Sequence, residues 1–580
     1  MTKKRAGGEL VAATLAGLGV TEVFALHGSH LDPFFIACAD YGIRLTDTRH
    51  EAAAGHAADG YARASGGRLG VCATTAGPGF TNTLTAMANA YLDRIPVLFI
   101  SGAAPMREVE GNTLQGGFDA LAMARPVTKW AHSVTDVERL AEFVHRAVEI
   151  ALTGPPGPVF LEIPIDVMFM PTSQPLPDAS NWRKAAAPAP SPESVDKVIE
   201  MLRKSERPVI IAGGGTILSD SAGKLQKFAE LVGIPVVASS KALGVMPDDH
   251  PYYGGAAGVL AMAASSGTRA DAVLLLGARM GMFLGGAMGA IIPSDAVLAQ
   301  IEIDPKEIGR VRSSDIPIIA DCAVALECLL ARASDHAWKK KEEWAKQLRA
   351  LRDGARATFQ NTPPQSRPGI IHPFYAVKAV LDVLPSDVTI VADGGEAGNW
   401  VGDAVRSSGP GQFLRCGYLG CLGISPGFAI GAKRANPGRP VICFAGDGGA
   451  GFNIQEFDTM ARHKLPIVTI ILNNAEWGMS RNAQTLLYGA NREAIVALAD
   501  TEYDMVARGF GAAGTRIDNY EQIGPAVLQA LNSPIPTCLN VIIDPAVMHT
   551  RTRAMVGDVT GADGIPIPYY ANIPNKGQST

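Results

Sequence analysis

A carboxylate and an amide stand where two buried strands should end. Asp447 lies between Gly446 and Gly448 directly after the apolar run VICFA, and after twenty-four intervening residues the pair Asn473-Asn474 follows the run LPIVTIIL. Both runs read as strands of a parallel sheet, which brings Asp447 and Asn474 out at the same edge. Oxygen donors of this kind suit a hard divalent cation, and Mg²⁺ commonly takes one or two protein oxygens and fills its octahedron with water and phosphate oxygens. Gly446, Gly448 and Gly449 let the backbone approach a diphosphate. A helix opening near Asn453 is expected to turn its N-terminus toward the same anion. Gly-Asp-Gly alone is ordinary turn chemistry. The paired asparagines one strand later make a metal-diphosphate site the stronger reading.

This spacing resembles the thiamine-diphosphate signature of the acetolactate synthase and benzaldehyde lyase superfamily. There the aspartate, the second asparagine and a backbone carbonyl two residues on hold the metal, which points to Asp447, Asn474 and the carbonyl of Glu476 here. The resemblance covers the chain from about residue 6 to about residue 545. It implies an upstream carboxylic acid against the aminopyrimidine ring of the cofactor. In TDTRHEAAAGHAADGYARA, Glu51 stands between the strand end LTDT and an Ala-rich helix. Taken alone it is a first-turn acid favoured by the helix dipole. The resemblance makes it the group that bonds N1′ of the cofactor held by a neighbouring subunit, so a homodimer is the least catalytic unit and a homotetramer the expected assembly. In GYLGCLGISPGFAIGA, it makes the Gly420 carbonyl an acceptor for the 4′-amino group and Leu422 the side chain that bends the cofactor. Otherwise Leu422 is a core leucine.

The substrate side is marked by ALHGSHLDPFF, which places His27 and His30 around a turn at the end of the first strand. A lone histidine is usually structural, but these two flank the expected mouth of the site. With GGEL, the LHG-x-H turn, NTLQ-x-G and PVTKWAH, the pattern resembles benzaldehyde lyase, which implies that His30 handles the proton of a substrate hydroxyl and Gln115 orients that hydroxyl. Imidazole, with a pKa near neutrality, suits that transfer. The departures are Met479 at a position that is small in that enzyme, Ile165 where it carries tryptophan, and a tail with Arg551, Arg553 and IPIPYY. The tail reads either as a disordered end or as a basic lid over a phosphorylated substrate. The whole resembles the bacterial 2-hydroxyacyl-CoA lyases, most of all the branch acting on 2-hydroxyisobutyryl-CoA. The implied reaction breaks the C1–C2 bond, releases a ketone or aldehyde and leaves formyl-CoA. Glu493, in the loop after the metal motif, is a further acid–base candidate or a solvated acid at a helix start. The first alternative is an acyloin lyase or carboligase on free aldehydes. Acetolactate synthase and the eukaryotic-type hydroxyacyl-CoA lyases fit less well because their first-strand turn lacks these histidines. A non-catalytic binding module is disfavoured by the joint presence of Glu51, Asp447 and Asn474.

Positioning these groups takes more than one core, since 580 residues exceed what a single domain ordinarily holds. Composition breaks at the Pro- and Ala-rich stretch 171–194 and again around 353–372, giving domains of about 1–170, 190–350 and 370–545 and a tail at 546–580. Each alternates short β-branched runs with helical stretches, so the fold class expected is α/β, three doubly wound parallel sheets. In the middle domain RPVIIAGGG, IPVVAS, ADAVLLLGAR, AQIEIDP and IPIIAD read as strands. Arg279, Asp304 and Asp321 stand at strand ends, where a doubly wound sheet takes a ligand, or else serve as turn and capping residues. Within this superfamily the middle domain is purely structural or holds an adenine nucleotide such as FAD, ADP or the ADP part of coenzyme A.

A net charge of −5 leaves no electrostatic footprint for nucleic acid. No stretch has the length and purity of a membrane span. The segment MTKKRAGGELVAATLAGLGV reads as an amphipathic first helix, because Glu9 interrupts its apolar run. Eight scattered cysteines without a CxxC pair point to reduced thiols in a cytoplasmic protein.

Overall fold

Alternating apolar runs and glycine turns give three sheets, each of six parallel strands. The structure, a computed structural model, describes residues 4–176, 185–286, 289–359, 361–406 and 409–556. The first sheet holds β1 (Glu22–Ala25), β2 (Arg44–Asp47), β3 (Gly70–Thr74), β4 (Val97–Ala103), β5 (Trp130–Ser133) and β6 (Val159–Pro164), in the order β2-β1-β3-β4-β6-β5. The second holds β7 (Pro208–Ala212), β8 (Val236–Ala238), β9 (Tyr253–Ala256), β10 (Ala272–Leu276), β11 (Val297–Glu302) and β12 (Ile316–Ile319), in the order β9-β8-β7-β10-β11-β12. The third holds β13 (Thr389–Ala392), β14 (Phe413–Arg415), β15 (Val441–Gly446), β16 (Ile467–Asn473), β17 (Ala513–Ile517) and β18 (Thr537–Ile542), in the order β14-β13-β15-β16-β18-β17. The first and third sheets therefore share one topology. The second has the order of a dinucleotide-binding sheet.

Both faces of these sheets are covered, which is why the strands read as unbroken apolar runs. In β1, Val23 and Phe24 are both fully buried yet belong to different cores. Phe24, Phe160 and Phe444 are likewise fully enclosed, each stabilising the fold by about 1.5–3 kcal/mol. The Ala-rich helix α1 (Glu51–Ala64) lies against α2 (Ser425–Ala435), joining the first domain to the third. A Cβ on Gly431 would come 2.0 Å from the Ala57 carbonyl oxygen, and one on Gly60 would come 2.5 Å from Phe428 Cα. Backbones this close tolerate only small residues, which explains the composition of α1.

Several elements differ from expectation. Strand β9 was hidden by its sequence, YGGA, whose glycines dilute the β-branched signal. Pro171 and Thr172, at the start of the presumed linker, pair antiparallel with Ala6 and Arg5. The first helix, Gly7–Gly17, buries Leu10 through Leu15 on consecutive positions, so it is enclosed on most sides and not amphipathic. The helix expected to open near Asn453 begins at Glu456 and runs to Arg462. A shorter one, α3 (Asp447–Ala450), starts at the aspartate itself, and Asn453 donates to the Gly423 carbonyl at 2.6 Å. Of the tail, the described residues include α4 (Thr550–Val556), and IPIPYY lies outside them. Among the described residues no helix is long and apolar enough to cross a membrane, and all eight cysteines are free thiols.

Candidate active site

In a doubly wound sheet the ligand crevice opens where the chain reverses direction across the sheet. In the third sheet that point lies between β13 and β15. The register pairs Gly446 with Leu472, so Asp447 and Asn474 emerge side by side, as their spacing predicts. Asp447 is 2% exposed and its Oδ2 accepts the Glu476 N–H at 3.1 Å. Burial pushes its carboxyl up to about 6, opposed by backbone N–H groups of Gly448, Glu476, Asp447 and Ala475. A buried carboxylate compensated by N–H dipoles alone is a fitting ligand for a divalent cation. Asn474 Oδ1 accepts the same Glu476 N–H at 3.3 Å, while Ala475 adopts the left-handed conformation at φ 57°. Strain of this kind gathers at functional sites. The preceding Asn473 is spent on structure, donating to Asn540 Oδ1 at 3.1 Å and to the Thr501 carbonyl at 3.2 Å. The Tyr503 hydroxyl holds the Asp447 carbonyl at 3.0 Å.

The glycines are explained by what surrounds them. A Cβ on Gly448 would sit 2.6 Å from the Trp477 ring, and one on Gly449 would sit 3.4 Å from Asp393 Cγ. Asp393, which the sequence did not single out, is buried and accepts from Gly394 N–H, Gly423 N–H and the Ser425 hydroxyl at 2.7, 3.0 and 2.7 Å. It ties the end of β13 to the loop that carries Gly420, at φ 67°, and Leu422, whose Cδ2 packs onto Gly394. Gly420, Leu422, Asp447, Asn474, Glu476 and Met479 all line one cavity of about 1400 Å³. Glu493 accepts from the Thr485 hydroxyl at 2.8 Å and lies 3.9 Å from Arg481, which also faces Glu476.

The first sheet gathers a second group at its own crossing point, between β1 and β3. His30 Nδ1 lies 2.9 Å from Thr75 Oγ1, and burial holds its imidazole below the ordinary value. Gln115, at φ 63°, packs over Gly77, so His30 and Gln115 converge on the Thr75–Gly77 turn. His27 is not brought to them, being 73% exposed and paired with Asp32 at 3.0 Å. Glu51 opens α1, is 8% exposed and accepts from Asn82 Nδ2 at 2.9 Å. None of the described residues lining the 1400 Å³ cavity comes from the first domain, so Glu51, His30 and Gln115 stand apart from it within one chain.

The middle sheet reverses between β7 and β10, and a cavity of about 570 Å³ opens there, lined by Gly214, Gly215, Gly277, Arg279 and Asp321. Arg279 donates to the Leu92 carbonyl at 2.5 Å and lies over the Tyr418 ring at 4.5 Å. Asp321 caps the helix Cys322–Ala333 through Ala323 N–H at 2.8 Å. Asp304 does not line this cavity. It accepts from Arg94 at 2.6 Å and caps its own turn, a pairing with the first domain that sequence spacing could not reveal. On α4, Arg551 faces the larger cavity with its guanidinium paired to Asp403, whereas Arg553 is exposed. His549 braces the same carboxylate at 3.1 Å and stands edge-on to Trp400.

Three parallel sheets with an Asp–Asn pair at the third crossing point define an enzyme that binds a diphosphate cofactor. The chain matches the thiamine pyrophosphate enzyme N-terminal TPP binding domain over residues 5–123, the central domain over 195–329 and the C-terminal TPP binding domain over 393–541. It belongs to the thiamine pyrophosphate enzyme family. It is 34% identical to a probable acetolactate synthase large subunit of Methanocaldococcus jannaschii, over 93% of this chain and 92% of that protein. It is 31% identical to 2-hydroxyacyl-CoA lyase 2 of Caenorhabditis elegans (92% and 88% covered) and 30% identical to that of Homo sapiens (93% and 90%). Both kinds of relative that fit less well by the first-strand turn thus stand at similar distance, and overall identity does not separate them.

Proposed function

We propose that this enzyme cleaves a short 2-hydroxyacyl-CoA, such as 2-hydroxyisobutyryl-CoA, to formyl-CoA and a ketone or aldehyde, using thiamine diphosphate and Mg²⁺. The observation that carries the coenzyme A reading is that the two cavities share a wall. Ser239, Ser240, Leu243, Phe283 and Arg415 line both. A nucleotide in the smaller cavity, near Arg279, could therefore extend its thioester arm toward the larger one.

Thiamine diphosphate, when bound, supplies the electron sink for breaking a carbon–carbon bond. Asp447, Asn474 and the Glu476 carbonyl would hold Mg²⁺, and the backbone at Gly448 and Gly449 would face the diphosphate. Leu422 and the Gly420 carbonyl would orient the cofactor. Glu51 would reach the aminopyrimidine from a second copy of the chain, which accords with its distance from its own cavity; two such dimers would form the tetramer. His30, neutral at pH 7, would take the proton from the oxygen of the substrate hydroxyl, with Gln115 orienting that oxygen. Glu493 and the Arg551–Asp403 pair would border the substrate.

The convergence of His30 and Gln115 equally favours the second reading, an acyloin lyase on free aldehydes. ADP distinguishes them. Turnover of the CoA thioester that ADP inhibits competitively supports the first; cleavage of benzoin that is indifferent to ADP and CoA supports the second.

A further inference from the structure

We infer that Asp93, a residue of the first domain, is a positioning residue that sets the cofactor-facing loop Gly417–Leu422 of the third. The inference rests on the proposed cofactor site and adds to it the group that fixes one of its walls.

Asp93 ends the helix Leu84–Asp93, and its carboxylate is completely enclosed. Three domains meet on it. Arg63 of the first domain donates from Nη2 at 2.9 Å, Lys241 of the middle domain forms an ion pair with Oδ1, and Tyr418 of the third donates its backbone N–H to Oδ1 at 3.2 Å. Burial works against the charge, but Lys241 and Arg63 keep the carboxyl well below the usual carboxylate range. The neighbouring residue has to be glycine, because a Cβ on Gly417 would fall 1.8 Å from Asp93 Oδ2.

The Tyr418 side chain is fixed from the other direction. The Arg279 guanidinium lies 4.5 Å and Lys241 Nζ 4.9 Å from its ring centroid, and Phe283 meets it edge-on at 5.0 Å. The ring face attracts both cations, and the attraction is strengthened where the ring is shielded from water. With Gly417 and Tyr418 held, the chain turns at Gly420 and delivers Leu422 onto Gly394 in the cofactor cavity. The same carboxylate that joins three domains therefore sets the loop two residues ahead of Gly420. An ordinary interdomain ion pair would engage side chains alone.

The test compares full-length parent, Asp93→Asn and Gly417→Ala. Gly417→Ala leaves the buried charges intact and pushes the loop off Asp93; Asp93→Asn keeps the shape and removes the charge, so one variant remains informative if the other fails to fold. Thiamine diphosphate affinity, with Mg²⁺ present, is read from quenching of tryptophan fluorescence and expressed per folded molecule. A positioning role predicts affinity weakened roughly tenfold or more, the size expected for a displaced buried hydrogen bond. It also predicts lower kcat at saturating cofactor with the substrate KM unchanged. Variants that melt earlier but bind cofactor and turn over like the parent overturn the inference alone. A parent that binds no thiamine diphosphate overturns the proposed function and this inference with it.

Discussion

Glu476 donates its backbone N–H to Asp447 Oδ2 over 3.1 Å, tying the loop after β16 to the first residue after β15. The left-handed turn at Ala475 makes the bond possible and leaves Asn474 beside the same N–H. The carboxylate and the amide are thereby held at one point.

On the proposed function, Asp447→Ala should weaken metal-dependent binding of thiamine diphosphate by about a hundredfold or more, since a buried donor to the cation would be lost. Calorimetric titration with Mg²⁺ and cofactor checks this. In the parent, a carboxyl raised to about 6 also makes protons compete with the cation. Metal affinity should be flat above that pH and fall by about tenfold per unit below it.

Gly448→Ala places a methyl group into the Trp477 ring, 2.6 Å away. The variant should fold, lose at least about tenfold in cofactor affinity and show an altered Trp477 environment in its fluorescence. Parent-like affinity would mean that the loop gives way easily and that the glycine is not needed there.

Glu51→Gln keeps the shape of the buried acceptor and removes its proton chemistry. Cofactor affinity should change little while kcat falls by about a hundredfold to ten-thousandfold, the usual contribution of a positioned acid–base group. Mixing this variant with an Asp447→Ala variant should restore part of the activity, because a mixed dimer then holds one intact site. Parent-level turnover by Glu51→Gln alone would remove Glu51 from the mechanism.

Glu456 supplies a pH test of stability. Its buried carboxylate accepts the Arg49 N–H at 3.1 and 3.2 Å, two residues from Glu51, and burial pushes it up to about 7. A raised folded-state value means that the native protein holds this proton where the unfolded chain has lost it. Stability from this group is present below about pH 4.5 and is lost as pH rises to about 7, on the order of 3 kcal/mol in total. Glu456→Gln should flatten the fall in melting temperature across that window and melt higher than the parent above pH 7.

The strands and the meeting of Asp447 with Asn474 are legible in the sequence because both depend on neighbours in the chain. Fully buried strands are continuous apolar runs, and the Asp447-to-Asn474 spacing is one strand–helix–strand passage. Asp393 is not legible, since its meaning comes from Gly423 and Ser425, thirty and more residues on. Asp93 is further out of reach, because its partners Lys241 and Tyr418 lie in two other domains. Local spacing marks His27 as strongly as His30. Only the packing of Gly102 and Thr75 against His30 separates the two.

The most direct test is product analysis after the protein, thiamine diphosphate and Mg²⁺ are incubated with 2-hydroxyisobutyryl-CoA, with benzoin and pyruvate in parallel. The account predicts formyl-CoA and acetone in equal amounts from the thioester, dependent on the cofactor. An untouched thioester alongside benzaldehyde from benzoin, or acetolactate from pyruvate, would contradict it.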